Sequence, residues 1–430
     1  MSLSNQAILN CSEAAQPNLM SRRVFITGIG LISSLGDSAA QLHAALCSER
    51  SGIAGNQSFD IKGLTCQFAA RVESFQAEKY LGSINLRPLD RSSRLASAAA
   101  RLAIDDSGWT PDTLAQENVG LVLGTMFGSL RTISEFDQRI LEAGPTYVSP
   151  LDFANTVISA AAGQAAIVHK LRGVNSTIST GPTSGLQAIA YASDLIRSGG
   201  AKALLAGGVE ELCFQSFYNF DRAGLLRACN ESHRAIPFHP QRNGFVLGEG
   251  AALLMLEDEA SISQRGAPVL AEIRGHASGF APQTDDNDQA IETIARTMQL
   301  ALSDARVDAD NIDCISASAN GSIDWDRREA HAIAKVFDGH SGEVPVTAIK
   351  SLLGETLGAA GALQVASAVQ AMGDGVLPGI SGLTQLEHDL PLTHTTNCNQ
   401  RIDAHLTLVN SIGFDGQCCS LVIARHERTN

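Results

Sequence analysis

Short apolar runs alternate along the chain with segments whose apolar residues recur every three to four positions. Residues 24–33, VFITGIGLIS, form a continuous apolar run that is typical of a buried strand. Ser38 then precedes AAQLHAALC, which is the pattern of a helix cap followed by an amphipathic helix. The same patterns predict a helix at 92–108, strands at 119–124, 176–180 and 203–208, a turn and helix over 181–200, and two paired strands within 244–257.

The second half of the chain repeats this order of elements. The patterns predict strands at 269–279 and 313–320, helices at 286–305, 327–337 and 358–375, and a closing strand pair at 406–414 and 418–426. Alternating strands and helices are typical of α/β proteins whose parallel sheets are covered by helices on both faces. We therefore predict one compact unit of two pseudo-duplicated halves, 22–262 and 263–430. A polar, aperiodic leader at 1–21 precedes them and is expected to be disordered.

Composition narrows the classes of function. The 430 residues are 44% hydrophobic and 18% charged, and the net charge is −14, so the chain lacks the broad basic surface that nucleic-acid binding needs. No apolar run approaches the roughly 18 residues of a membrane span, and no signal-peptide pattern opens the chain. The nine cysteines are scattered and lack a CxxC pair, which indicates free thiols in a reducing cytoplasm. We predict no metal, no cofactor, no membrane and no nucleic-acid partner.

The segment 176–185 carries the clearest candidate chemistry. A β-branched strand, STIST, leads into a tight turn at Gly181 and then directly into a helix. In enzymes such an elbow holds a nucleophile at a helix N-terminus, where the macrodipole and free N–H groups stabilise a thiolate or an oxyanion. The tip here is Pro182, which has neither a nucleophile nor an N–H, although proline suits the first position of a helix. The elbow is therefore predicted without its reactive group.

Ordered motifs over residues 22–426 resemble those of the β-ketoacyl-ACP synthases, the condensing enzymes of thiolase fold. The elongating members carry T-A-C-x-S-G at the elbow, where this chain has TGPTSG at 180–185. The other motifs follow in the family's order: AGG at 206–208, PF at 237–238, NGFVLGEG at 243–250, KS at 350–351, GAAGA at 358–362 and NSIGF at 410–414. The resemblance implies a thiolase-like layered αβαβα fold.

The resemblance also locates three reacting positions. In active members the elbow cysteine attacks an acyl thioester, and two histidines stabilise the enolate that forms on decarboxylation. The histidine motifs N-A-H-G-T and K-S-x-x-G-H correspond here to SASAN at 316–320 and KSLLGE at 350–355. The three positions therefore hold Pro182, Ser318 and Glu355. From this we expect the chain not to be an enzyme on its own.

Three supporting residues of the family are retained. Lys350, Asp326 and Glu329 match positions that form a buried ionic network in the family, so we expect a structural role for them here. A fold that keeps its supporting residues without its reactive groups suggests a subunit that acts through a partner.

Type II polyketide synthases contain such a subunit, the chain-length factor, which pairs with an active ketosynthase of the same fold. The resemblance implies that this chain is a non-catalytic subunit of that heterodimer and shapes the acyl tunnel, in polyketide or fatty-acid-like polyene biosynthesis. Pro182 departs from the glutamine that is usual at the chain-length-factor elbow. We expect a large apolar interface around residues 120–180. The acyl carrier protein, which is acidic in this family, is expected to dock mainly on the partner.

Four side chains are candidates for the tunnel or the interface. By resemblance, Leu130, Ile133 and Phe136 fall where the family closes the acyl tunnel at the dimer interface, and Phe414 lies in the NSIGF motif. A bulky side chain across the tunnel would stop the growing acyl chain. Because the first three residues have helical spacing, core or interface packing is the default interpretation and tunnel gating is the alternative.

Two other functions stay open at this point. A thioester hydrolase or acyltransferase of altered chemistry would need a nucleophile with an adjacent base. The candidate nucleophiles are Ser184, Thr183 and Cys213, and the candidate bases are His239, His276 and His331. Carboxylates beside Cys213 disfavour its thiolate. A homodimeric acyl-binding or regulatory protein is the third possibility, and a stable homodimer with bound lipid and no turnover would support it.

Overall fold

The computed structural model describes residues 22–227, 235–281, 287–337, 344–392, 395 and 398–426. The predicted leader at 1–21 lies outside the described residues. The strands are β1 (Val24–Ser33), β2 (Ala54–Gly55), β3 (Phe68–Ala69), β4 (Gly120–Gly124), β5 (Asn175–Ile178), β6 (Ala203–Glu210), β7 (Gly250–Asp258), β8 (Ala271–Phe280), β9 (Cys314–Ser316), β10 (Val346–Thr347), β11 (Val376–Leu377), β12 (Gln400–Arg401), β13 (Leu406–Ile412) and β14 (Gln417–Arg425).

Helices occupy most of the segments between these strands. They are α1 (Ala39–Cys47), α2 (Ala77–Leu81), α3 (Arg91–Asp106), α4 (Pro111–Gln116), α5 (Leu130–Ala143), α6 (Pro150–Phe153), α7 (Ala160–His169), α8 (Ser184–Arg197), α9 (Phe214–Arg222), α10 (Glu259–Arg265), α11 (Asn287–Ala305), α12 (Ile323–Val336), α13 (Lys350–Leu353) and α14 (Ala360–Asp374). Within the described ranges, none of them combines the length and the apolar character that crossing a bilayer requires.

A ten-stranded mixed sheet runs through the molecule in the order β10-β9-β13-β14-β8-β1-β7-β6-β4-β5. Five strands on each side of the centre repeat the same arrangement, with parallel pairs towards the edges and antiparallel pairs inside. The two sets join where β1 pairs with β8, from Val24↔Ile273 to Ile26↔Ala271. This architecture confirms the predicted α/β, thiolase-like fold. The division between residues 262 and 263 stays a proposal.

Two local predictions differ from the structure. The central strands are antiparallel rather than parallel, because alternation along the sequence constrains neighbouring elements and not strands as distant as β1 and β7. The predicted strand pair at 244–257 is the single strand β7, since residues 244–249 make only isolated bridges. Gly244 has φ +127°, and the buried Glu249 anchors Arg91 instead of extending a strand.

Two helices, α8 and α14, form the centre of the core beneath the sheet. Leu186 and Ile189 of α8 pack with Leu363 and Val365 of α14 and with the apolar faces of β1 and β14. The small residues of α14 are needed here, because a side chain on Gly361 would clash with Leu186. Outer layers complete the arrangement: α3 and α7 cover the N-terminal set of strands, and α11 and α12 cover the C-terminal set.

Candidate functional site

The predicted elbow lies at the junction of β5 and α8. A 3-10 turn spans Gly181–Thr183, and Gly181 takes φ +63°, the left-handed conformation that glycine adopts without strain. The Ser184 hydroxyl accepts a hydrogen bond from the Thr180 N–H at 2.9 Å and donates one to the Gly181 carbonyl at 2.6 Å. These two bonds hold the turn, so the Ser184 hydroxyl is used in stabilising the elbow.

Pro182 lies buried at the tip of the elbow. A proline brings neither a thiol nor an N–H to the start of the helix. The Asp415 carboxylate lies against Gly181, and a side chain on Gly181 would overlap it. Burial raises the pKa of Asp415, whereas the hydrogen bond from the Gln417 N–H opposes that rise. The loop after β13 therefore covers the elbow tip with a carboxylate.

Ser318 and Glu355, the other two proposed reacting positions, meet at Lys350. Lys350 Nζ lies 2.8 Å from Glu355 Oε2 and donates to Ser318 Oγ at 3.2 Å. The amide of Asn320 donates to the same Glu355 oxygen at 2.8 Å, and the Leu357 N–H donates to the other at 2.9 Å. Both oxygens of Glu355 are thus hydrogen-bonded, and the carboxylate is paired with a buried ammonium group.

The end of β13 brings this cluster close to the elbow. The Ile412 N–H donates to Ser318 Oγ at 2.9 Å, and the next residue, Gly413, packs beside Pro182. All three positions therefore lie around the C-terminal end of β13. The cleft there is narrow, and its walls include Ser318, Asn320 and Phe414.

Asp326 and Glu329 hold the backbone of the segment that carries Ser318. Asp326 accepts the N–H groups of Phe238 and Asn320, each at 3.0 Å, and burial raises its pKa to about 6 despite these bonds. Glu329 accepts the Ser318 N–H at 2.9 Å, and burial raises its pKa to about 7. Both carboxylates thus bind the 318–321 backbone, whereas the direct ion pair of Lys350 is with Glu355.

The four tunnel and interface candidates fall into two groups. Leu130, Ile133 and Phe136 lie on α5, are half-buried, and do not reach the core. The Phe136 ring contacts Phe153 of α6, with 5.9 Å between centroids. Phe414 instead lies in the cleft beside Ser318.

An aromatic row that sequence inspection missed connects the start of α5 with that cleft. Phe414 stacks on Phe245 at 6.2 Å and meets Phe220 edge-on at 5.2 Å, and Phe220 contacts Phe127 at 6.0 Å. Phe127 precedes α5 by three residues. The available signal was the helical spacing of Phe217 and Phe220 on α9. Offset and edge-to-face rings of this kind pack tightly, so the row fills the space between α5 and the elbow.

A continuous segment of the surface is unusually apolar. Half of the fourteen large apolar side chains that are exposed in the described residues lie between 141 and 167. We call this set the 141–167 face; it comprises Leu141, Tyr147, Leu151, Phe153, Val157, Ile158 and Ile167. Neither α5 nor α6 buries a single residue in the isolated chain. The adjacent strand β5 is an edge of the large sheet. Large exposed apolar surfaces mark interaction sites.

The candidate nucleophiles for an altered chemistry bond to groups other than histidine in the described part of the chain. Among the described residues, no hydrogen bond joins Ser184, Thr183 or Cys213 to a histidine. Cys213 is 1% exposed, and burial raises the pKa of its thiol. His239 bonds to Thr384, and His276 bonds to Asp194. His331 is half-buried on α12.

The comparisons correct one expectation from the sequence. The chain is 32% identical over 408 residues to 3-oxoacyl-[acyl-carrier-protein] synthase 2 of Coxiella burnetii, a match that covers 94% of this chain and 99% of the relative. Relatives with the same enzyme name from Vibrio cholerae and other bacteria match at similar levels. The prediction that the chain is not an enzyme is therefore wrong, because these relatives are named as 3-oxoacyl-[acyl-carrier-protein] synthases, which are condensing enzymes.

Solved structures and family models indicate the same family for this chain. The structure described as "The ishigamide ketosynthase/chain length factor" superposes with a TM-score of 0.88 at 31% identity, covering 95% of this chain and 100% of that chain. A type II polyketide synthase acyl-carrier protein in complex with its ketosynthase gives 0.85 at 25% identity, covering 94% and 100%. Residues 21–261 match the model "Beta-ketoacyl synthase, N-terminal domain" and 270–384 the corresponding "C-terminal domain". The chain thus belongs to the beta-ketoacyl synthase family.

Proposed function

We propose that this chain is the chain-length-factor-type subunit of a type II polyketide synthase. It pairs with a ketosynthase of the same fold, and the pair is the condensing enzyme. The observation that carries this proposal is the exposed 141–167 face beside the edge strand β5. An obligate partner of the same fold would cover both, because edge strands and contiguous exposed apolar residues are normally paired or buried.

The elbow supports a division of labour within the pair. Pro182 carries no thiol, so the acyl group is held on the elbow cysteine of the partner ketosynthase. Lys350 and Glu355 form a buried ion pair, so the charge of the carboxylate at the third reacting position is compensated within this chain. The structural relative named as a ketosynthase/chain length factor supports the same assignment.

In the pair, this chain contributes part of the acyl-tunnel wall. Leu130, Ile133 and Phe136 are half-buried on α5, next to the 141–167 face, where a partner's tunnel would end. The aromatic row from Phe127 to Phe414 closes the space behind them. A growing acyl chain that enters from the partner's tunnel would therefore be blocked by α5.

Two further assignments follow from charge and from the cysteines. The acyl carrier protein docks mainly on the ketosynthase, because this chain carries a net charge of −14 and would repel an acidic carrier. The proposed location is the cytoplasm, where the seven described cysteines, all free thiols, would stay reduced.

The experiment that tests tunnel gating is product analysis of the reconstituted pair with Phe136→Ala. Removing the ring opens the end of the tunnel, so products should be longer by at least one extension unit than those of the unchanged pair. Phe280→Ala is the control, because Phe280 is also a surface phenylalanine, 55% exposed, but lies on β8, away from α5. Identical product lengths for Phe136→Ala and the unchanged pair would contradict this part of the proposal.

A further inference from the structure

An open cavity of about 480 Å³ lies between the loop that follows β1 and the segment that follows β3, apart from the elbow and from the cleft at Ser318. That volume lies within the usual range of small-ligand sites. Three basic and two acidic side chains line its wall, and these are Arg50, Arg71, Lys79, Asp37 and Glu73. The way in which these charges are paired with one another determines the kind of ligand that the cavity can bind.

One acid and one base of the wall are paired with each other. The Lys79 ammonium group lies 2.7 Å from Asp37 Oδ2, and the Tyr80 hydroxyl donates to the same oxygen at 2.9 Å. The hydrogen bond from Lys79 lowers the pKa of Asp37, so this carboxyl is ionised and Lys79 compensates its charge. Arg50, Arg71 and Glu73 therefore set the net charge that a ligand meets.

The guanidinium group of the half-buried Arg71 lacks a close anion. Within the described ranges its one ion pair is with Glu249, at 3.7 Å between Nε and Oε1, and Arg91 already donates to both oxygens of that carboxylate. In the same ranges Arg71 makes one hydrogen bond, from Nη1 to Ser58 Oγ at 2.5 Å, and its buried Nε has no hydrogen-bond partner. Burial lowers the pKa of Arg71, and the charge of Arg91 lowers it further. Both effects are expected of a cation that is incompletely compensated.

Two further donors line the same cavity. The exposed Arg50 donates to the Leu35 carbonyl at 2.5 Å, and in the part of the chain that the structure describes it forms no ion pair. The Ser34 hydroxyl is buried and, among the described residues, has no hydrogen-bond partner. A buried donor without an acceptor is costly, so an acceptor on a ligand would be stabilised there. Glu73, the remaining acid, is exposed, so water screens its charge.

These donors favour an anion with several acceptor oxygens. A phosphate monoester carries close to two negative charges at neutral pH and three acceptor oxygens, which matches two guanidinium groups and one hydroxyl. We propose that this cavity binds the phosphate group of a small organic phosphate, which accepts hydrogen bonds from Arg71, Arg50 and Ser34. The rest of the ligand would fill the remaining volume of the cavity. This site does not depend on the pairing proposed above.

Calorimetric titration of the purified full chain with glycerol phosphate tests this site. The titration is made at about pH 7.5, where the phosphate monoester is mostly a dianion, and at constant ionic strength. Glycerol is the neutral control, acetate is the carboxylate control, and inorganic phosphate is the phosphate group without an organic body. We expect saturable binding of glycerol phosphate, weaker binding of inorganic phosphate and of acetate, and no binding of glycerol.

Substitutions then assign the binding to this cavity. Arg71→Gln removes the cation that lacks a close anion, so the dissociation constant for glycerol phosphate should rise about tenfold. Arg50→Gln changes an exposed side chain, which leaves the core intact, and should also raise the dissociation constant. Glu73→Gln removes a negative charge from the wall and should lower it by about two- to threefold. Arg172→Gln, exposed and outside the cavity, is the control and should change nothing.

Several results would overturn this proposal. Absence of saturable binding of glycerol phosphate, or unchanged binding in both Arg71→Gln and Arg50→Gln, would remove the site. Acetate that binds as tightly as glycerol phosphate would contradict the assignment of a phosphate group. Inorganic phosphate that binds as tightly would contradict an organic ligand. None of these results bears on the pairing with a ketosynthase, which is measured by the native mass of the complex.

Discussion

The ammonium group of Lys350 lies 2.8 Å from the carboxylate of Glu355, and both side chains are almost completely buried. Removing one member of such a pair leaves an uncompensated charge in the core. We therefore expect Glu355→Ala to lower the free energy of unfolding by about 3–5 kcal/mol. Urea denaturation measures this loss.

The matched control for that prediction removes both charges. Lys350→Met combined with Glu355→Leu should cost much less than the sum of the two single changes, since no unpaired charge remains. Additive losses in the double variant would show that the pair is not the source of the stability.

The buried acids Asp326 and Glu329 predict how stability depends on pH. Burial raises their pKa values to about 6 and about 7 from the ordinary 3.8 and 4.5, so the folded state holds protons that the unfolded state has released. The contribution of these two acids to the free energy of unfolding should therefore fall as the pH rises from about 3.8 to about 7, and Glu211, whose pKa burial raises to about 8, extends the fall to about pH 8. Denaturation at a series of pH values measures this slope.

Glu329→Gln tests the assignment of that slope. The amide oxygen still accepts the Ser318 N–H, but the group no longer titrates, so part of the decline between pH 5 and 7 should disappear. Glu73→Gln, an exposed carboxyl, is the control and should leave the slope unchanged. The same slope in Glu329→Gln and in the unchanged chain would contradict the role of Glu329.

The 141–167 face predicts which surface change blocks pairing. Ile167 is 74% exposed on α7, so Ile167→Asp should leave the fold intact but place a charge inside the proposed interface. We expect the affinity for the ketosynthase to fall at least tenfold. Leu300→Asp, on α11 of the other half and 48% exposed, should leave affinity unchanged. Analytical ultracentrifugation of mixtures measures both, and equal affinities would remove the 141–167 face from the interface.

Local sequence patterns predicted most of the helices and strands, because the formation of these elements depends on local chemistry. The apolar run of β1, the glycine turn of the elbow and the small-residue helix α14 all lie where the patterns indicated. The direction of the central strands was not predictable in this way, because β1 pairs with β7 across more than 200 residues of chain. Such pairings depend on the complete core and not on any one segment.

The candidate site was predicted in its positions but not in its interactions. Motif order located Ser318, Glu355 and Lys350, and the structure brings them into contact. The identity of the partner of Lys350 depends on a turn at Gly354, which sends Glu355 back towards the ammonium group. The aromatic row through Phe220 combines residues from separate segments, so the helical spacing of Phe217 and Phe220 on α9 could indicate only one part of it.

The measurement that most directly tests the central claim is the native mass of this chain, alone and co-expressed with an intact ketosynthase. The exposed 141–167 face and the edge strand β5 predict a one-to-one complex, and they predict that the lone chain aggregates or is unstable. A stable homodimer of this chain that does not exchange with the ketosynthase would contradict the account.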